Sequence, residues 1–221
     1  MSTYILMRIL ESSPCRYDRG IRLLTGGRLD RAYDRLAGHI HRGDRVIDLG
    51  CGTGALTMRA AQQGADVKAI DINPHMLEIA RRRAAEQQLD GHIEFAEMGV
   101  AELETELTST YDAVTSGLCL SELSDDELRF ALSQVQRILK PGGRLLIADE
   151  VKPGGKVRRL LQSLIRVPLA LLTYVLTGRT SRPLEDLPKQ LQQAELSLLS
   201  CRRNWLRDFV QLVAEKRREG E

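Results

Sequence analysis

Three glycines fall at alternate positions in RVIDLGCGTGALT, residues 45–57: Gly50, Gly52 and Gly54 follow an apolar run and precede an Ala/Leu-rich one. Glycine has no Cβ and reaches positive φ at little cost, so this spacing lets a backbone bend sharply and come close to a ligand. Asp48 stands two residues before the first glycine. Asp71 follows Gly50 by 21 residues and ends the next apolar run, DVKAID. The dinucleotide fingerprint is G-x-G-x-x-G, with a pyrophosphate on the helix N-terminus; here the spacing is G-x-G-x-G. A carboxylate at the mouth of a phosphate site is repulsive, whereas beside an amino group it is favourable. The pattern therefore points to a zwitterionic, partly cationic ligand. Asp71, at a strand end, is placed to accept hydrogen bonds from both hydroxyls of a ribose. A nucleoside carrying an amino-acid tail satisfies both features, and S-adenosylmethionine is that molecule. The competing reading of the glycines is a tight turn with no ligand.

Positioning such a turn requires strands and helices in alternation, and the chain supplies them. Residues 17–41 read as two short helices broken near Gly26-Gly27, with Ile21, Leu24, Leu29, Tyr33 and Leu36 as apolar positions. Residues 46–49 read as a buried strand, 55–63 as a helix and 66–71 as a second strand. Asn73 is a helix cap and Pro74 fits the first helical position, opening a helix that the pattern carries to about residue 89. Strands follow at 92–97 and 111–118. Ser124 with Glu127 three residues on is a capping box, and its helix is expected to stop at Lys140-Pro141-Gly142-Gly143 before a fifth strand at 144–150. Alternation over 44–150 predicts an α/β doubly wound, mostly parallel sheet with helices on both faces. Residues 151–195 read as a helical, apolar insertion. Two last strands, at 196–204 and 208–216, are joined by only three residues, which forces an antiparallel hairpin. The expected whole is one domain with a seven-stranded sheet.

Composition is that of an ordinary globular chain: 221 residues, 43% hydrophobic and 28% charged. Aromatics at 4% argue against the base-stacking platforms of single-strand binders, and no nucleic-acid partner is expected. The net charge of +2 conceals an uneven distribution: +4 over residues 1–45, −9 over 46–150 and +7 over 151–221. An acidic middle suits a cationic ligand, and basic ends suit an anionic partner; uneven solvated charge is the plain alternative. Cys15, Cys51, Cys119 and Cys201 form no C-x-x-C pair and have no zinc-like spacing with histidine, so they read as reduced, mostly buried thiols. The N-terminus lacks the long apolar core of a signal peptide, and a cytoplasmic protein is expected.

The stretches VIDLGCGTGALT, VKAIDINPHML, YDAVTSGLCLSEL and ILKPGGRLLIADE resemble, in order and spacing, the successive motifs of class I S-adenosylmethionine-dependent methyltransferases. The resemblance covers roughly residues 30–150 and, more loosely, the terminal hairpin. Within that class the chain is similar to the group that includes ubiquinone/menaquinone biosynthesis C-methyltransferases. MRILESSPCRYDRGIRLLTGGRLDRAYDRL further resembles a bacterial subgroup described as corrinoid-protein-associated. The resemblance implies a Rossmann-like fold and S-adenosylmethionine as cofactor. It implies that Gly50, Cys51 and Gly52 shape the pocket for the methionine part, with Asp48 supporting the loop. It places Asp71 on the ribose and Ile72 on an adenine face. Ser116 and Gly117 would face the reactive methyl, and Tyr17 would cover the cofactor from the N-terminal helix. Met98, Gly99 and Val100 fall where relatives carry Gly-Asp-Ala at the adenine edge. Gly99 replaces the carboxylate there, which leaves adenine to be read by backbone groups, by Glu97, or less specifically.

Methyl transfer from a sulfonium is an in-line displacement with a good leaving group, so positioning can dominate and no single catalytic residue is required. Asp149, Glu150 and Glu122 lie at strand ends as candidate bases, with loop capping as their plain alternative. The acceptor is expected to be a small apolar molecule selected by residues 152–195. The run at 167–177 is too short to span a bilayer. With its flanking arginines, segment 156–182 reads as a lid, a helix pair packed on the sheet, or a peripheral contact with anionic lipid. An accessory protein that binds the cofactor and docks on a corrinoid protein is the alternative function.

Overall fold

A computed structural model describes residues 27–151, 184, 186–204 and 209–218. Tyr17, the first of the two expected N-terminal helices and most of the insertion, including segment 156–182, lie outside those residues. The described elements are α1 (Arg28–Ala37), β1 (Arg45–Leu49), α2 (Ala55–Gln62), β2 (Asp66–Asp71), α3 (Pro74–Glu86), β3 (Ile93–Glu97), β4 (Tyr111–Gly117), α4 (Asp125–Ile138), β5 (Leu139–Glu150), α5 (Leu187–Gln193), β6 (Leu196–Arg203) and β7 (Phe209–Lys216).

The strands form one seven-stranded sheet in the order β3-β2-β1-β4-β5-β7-β6. The first five are parallel, and β7 runs antiparallel between β5 and β6. The expected doubly wound sheet with a terminal hairpin is therefore present. Two apolar layers sandwich it. On one face Val46, Val67, Ala113 and Leu146 meet α1, α2 and α3 through Leu36, Leu56, Ala60 and Leu77. On the other, Ile47, Val114, Leu145 and Ile147 meet α4 and α5 through Leu132, Val135 and Leu191. Burial on both faces is why these strands read as continuous apolar runs. Strand order reverses between β1 and β4, which creates a crevice at their carboxyl ends.

Local chemistry sets most boundaries. The Asn73 side chain accepts the His75 N–H at 3.0 Å, and Pro74 occupies the first turn. That helix ends at Glu86, three residues before the sequence pattern implied. Gln88 adopts φ 58°, and the Leu89 N–H returns to the Ala84 carbonyl, so a left-handed cap without glycine closes it early. The fifth strand starts at Leu139, not at residue 144. Lys140-Pro141-Gly142-Gly143 forms a wide bulge inside it: Tyr111 pairs with Leu139 and Ala113 already pairs with Arg144. The turn signal was real, but the chain rejoins the same strand after it.

The Ser124 hydroxyl accepts the Glu127 N–H, and the Glu127 carboxylate accepts the Ser124 N–H at 2.8 Å. This reciprocal box starts α4, whose buried stripe covers the sheet. Ser124→Ala is expected to lower stability by about 1 kcal/mol, read as a lower midpoint in urea unfolding with an unchanged slope.

Candidate functional site

Gly50, Gly52 and Gly54 all adopt positive φ, 62°, 54° and 82°, and each lacks a side chain for a different reason. A Cβ on Gly50 would stand 2.5 Å from the Cys119 sulfur. A Cβ on Gly54 would stand 2.8 Å from the Met58 methyl and 3.2 Å from the Ala80 Cβ, where α2 and α3 pack closely. Gly52 faces open space, with nothing within 4 Å of its missing Cβ. The turn is stitched to the second strand: the Cys51 N–H donates to the Ile70 carbonyl at 2.9 Å, and the Gly52 N–H donates to the Asp71 carboxylate at 2.8 Å. The other Asp71 oxygen accepts the Asn73 N–H at 2.8 Å. A carboxylate oxygen accepts more than one hydrogen bond, so the oxygens that hold the turn can also meet ligand hydroxyls.

Asp48 does not reach the surface. It is 1% exposed and accepts hydrogen bonds from the Thr57 hydroxyl at 2.5 Å and the Thr115 hydroxyl at 2.7 Å. It ties β1 to α2 and β4 beneath the turn. Burial pushes its carboxyl up to about 6, against the pull of the two threonines and with a contribution from Asp71. Asp149 is also fully buried, accepts the Ser121 and Glu150 N–H groups, and is pushed up to about 7 by burial. Burial and the nearby Glu122, Asp149, Asp71 and Asp48 push the Cys119 thiol well above its ordinary range. Several carboxylates thus surround the turn, an environment that favours a cationic ligand.

A cleft of about 550 Å³ opens at the turn, walled by Gly50, Gly52, Gly117, Leu118 and Tyr33. Tyr33 comes from α1 and is 6% exposed. Its hydroxyl would lie 2.3 Å from a Cβ on Gly117, so glycine at the end of β4 makes room for it. Arg59 fixes that helix: its guanidinium donates to Asp34 at 2.6 Å, to Asp30 at 3.0 Å and to the Ala55 carbonyl at 2.8 Å, and sits 5.8 Å from the Tyr33 ring centre. Leu118 adopts φ 60°, a left-handed conformation that costs a non-glycine residue about 1 kcal/mol. Its N–H is held by the Ala148 carbonyl.

The other residues singled out by sequence divide between two places. Ile72, 64% exposed, and Gly99 lie side by side beyond β2 and β3, and the Met98 N–H donates to the Asp71 carbonyl. Met98 and Val100 pack against the apolar layer that includes α4. Ser116 is fully buried, and among the described residues its hydroxyl has no hydrogen-bond partner. Strand alternation puts it on the face opposite Thr115. Among the candidate bases Asp149 is enclosed, whereas Glu122 is exposed and Glu150 half-buried. Cys15 lies outside the described residues; of the other three, Cys51 is buried, Cys119 partly so and Cys201 exposed, so for these the expectation of mostly buried thiols holds only in part. Sequence reading missed Tyr33 as a cleft wall, along with Arg59, Thr57 and Thr115; a glycine at the end of β4, facing some bulky group, was the available signal. Among the described residues no cluster of three His, Cys, Asp or Glu side chains could hold a metal, and no helix is long and apolar enough to cross a membrane.

Residues 46–143 match the family described as a methyltransferase domain. A ubiquinone/menaquinone biosynthesis C-methyltransferase from Cellvibrio japonicus is 33% identical over 150 residues, covering 66% of this chain. The chain spans about three-fifths, 59%, of that relative's length. The structure of geranyl diphosphate C-methyltransferase from Streptomyces coelicolor, solved with S-adenosylhomocysteine, superposes with a TM-score of 0.66 at 15% identity, covering 91% of this chain and 83% of that one. The [4+2]-cyclase SpnF superposes at 0.69 with 20% identity, covering 86% and 82%.

The buried Asp48 carboxyl makes stability depend on pH. Its ordinary value is 3.8, so the folded chain binds this proton more tightly than the unfolded one. The stability this group contributes is present below about pH 4 and is lost as pH rises through about 6. Asp48→Asn removes that dependence. In urea unfolding the variant should gain roughly 3 kcal/mol relative to the parent between about pH 4 and pH 7; a pH-independent difference would contradict the assignment.

Proposed function

We propose that this chain is, through residues 46–143, a class I S-adenosylmethionine-dependent methyltransferase that binds that cofactor at the glycine turn and transfers its methyl group to a small apolar acceptor. The observation that carries the reading is the open space at Gly52 beside the Asp71 carboxylate, at the point where strand order reverses. The residues present fit the group. Asp71 has acceptor capacity for the ribose hydroxyls, Ile72 offers an exposed apolar plate, and the turn leaves room for an amino-acid tail. S-adenosylmethionine supplies an electrophilic methyl on a positively charged sulfur.

The chain's own contribution is placement. Asp48, through Thr57 and Thr115, holds the turn rigid from below. Tyr33 and Leu118 wall the cleft and exclude water from the reacting atoms. The surrounding carboxylates stabilise positive charge on bound sulfur, which favours donor over spent product. With Asp149 enclosed, exposed Glu122 and half-buried Glu150 are the side chains placed to receive a proton where the acceptor needs activation. The relatives' name makes demethylated quinols the first acceptor class to test.

Incubating the full chain with methyl-labelled donor and a demethylmenaquinone-type quinol should give label in the organic phase without any partner protein. Donor binding without transfer to any apolar acceptor, and transfer only when a corrinoid protein is added, would favour the accessory role instead.

A further inference from the structure

We propose that Glu102 is the residue that selects an amino group at the edge of the nucleoside base; this rests on the reading above, in which the adenosyl group lies beside Asp71. Ile72 directly follows that carboxylate and is 64% exposed. Facing it is Gly99, at φ −99° and ψ −179°, an extended conformation open to any residue. Glycine is therefore not needed there for the backbone. What it gives is room: a Cβ at Gly99 would lie 3.1 Å from Ile72 Cγ2 and 3.1 Å from Glu102 Oε2, so a side chain there would push against both. Leaving out the side chain at 99 lets the Glu102 carboxylate reach the edge of the Ile72 plate.

That carboxylate is held in place. Glu102 Oε2 accepts the Gly99 N–H at 3.0 Å. This is the capping contact of the short turn that starts at Val100, and Glu102 is exposed, so its carboxylate can accept a further hydrogen bond from a ligand. The turn that carries it is anchored by buried Leu103 and by Arg137 of α4, whose guanidinium donates to the carbonyls of Leu103 at 2.8 Å, Glu104 at 3.3 Å and Glu106 at 2.7 Å. A flat ring resting on Ile72 presents its edge to an acceptor that cannot donate. An amino group there gains a charge-assisted hydrogen bond, and a carbonyl in its place meets repulsion. Glu97, the carboxylate singled out by sequence, lies one strand end away; Glu102 is the one that touches the space at Gly99.

The test is calorimetric titration of the full chain with S-adenosylhomocysteine and with S-inosylhomocysteine, in which a carbonyl replaces the ring amino group. The parent should bind the adenosyl form about tenfold or more tightly. Glu102→Ala should bring adenosyl affinity down to near the inosyl value while leaving inosyl binding unweakened. Gly99→Ala, which the backbone tolerates, should displace the carboxylate and lose part of the same preference. An equal loss of both ligands in Glu102→Ala indicates a merely structural role and overturns the assignment, as does a parent that binds both equally. A parent that binds neither removes the nucleoside reading itself, and this assignment with it.

Discussion

The N–H of Gly52 points into the carboxylate of Asp71, and the rest of the site follows from that bond. It fastens the turn after β1 to the end of β2, beside a second backbone link from Cys51 to Ile70. On the other flank, Gly50 packs against the Cys119 side chain, just beyond β4. A turn gripped from both neighbouring strands cannot collapse into the crevice between them. Positive φ at three alternate residues is the conformational cost of this arrangement, and only glycine bears it without strain at all three.

Beneath the turn the structure bears a second cost, which is burial of charge. Asp48 and Asp149 are enclosed, are hydrogen-bonded to neutral groups among the described residues, and hold their protons more tightly than ordinary carboxyls do. A core chosen for stability alone would place apolar residues there. Leu118, in a left-handed conformation in the wall of the same cleft, adds backbone strain. Perturbed carboxyls and a strained residue around one crevice are what a binding site looks like when its demands outweigh those of the fold.

Features governed by near neighbours were legible in the sequence. The glycine spacing, the Asn73-Pro74 start and the Ser124–Glu127 box each depend on residues a few positions apart, and each has the expected geometry. Asp71 was legible because a carboxylate at a strand end has a defined place beside a glycine turn. The contacts that shape the cleft were not. Tyr33 meets Gly117, Arg59 meets Asp30 and Asp34, and Thr115 meets Asp48 across long separations that no local pattern records. Tyr33 fits the apolar stripe of its helix, so its second role at the cleft left no periodic trace. Gly99 was noticed for the carboxylate it lacks; that Glu102 fills the space beside it required the fold.

Chains of this architecture do not share one reaction, since a cyclase superposes on it as well as a C-methyltransferase does. The account therefore stands on the ligand held at the turn, not on the sheet. The most direct measurement is isothermal titration of the folded chain with S-adenosylmethionine, with NAD as control and Asp71→Ala as the altered site. The account predicts saturable heat with S-adenosylmethionine, none with NAD, and affinity at least about tenfold weaker in Asp71→Ala. No heat with S-adenosylmethionine, or unchanged affinity in a well-folded Asp71→Ala, would contradict it.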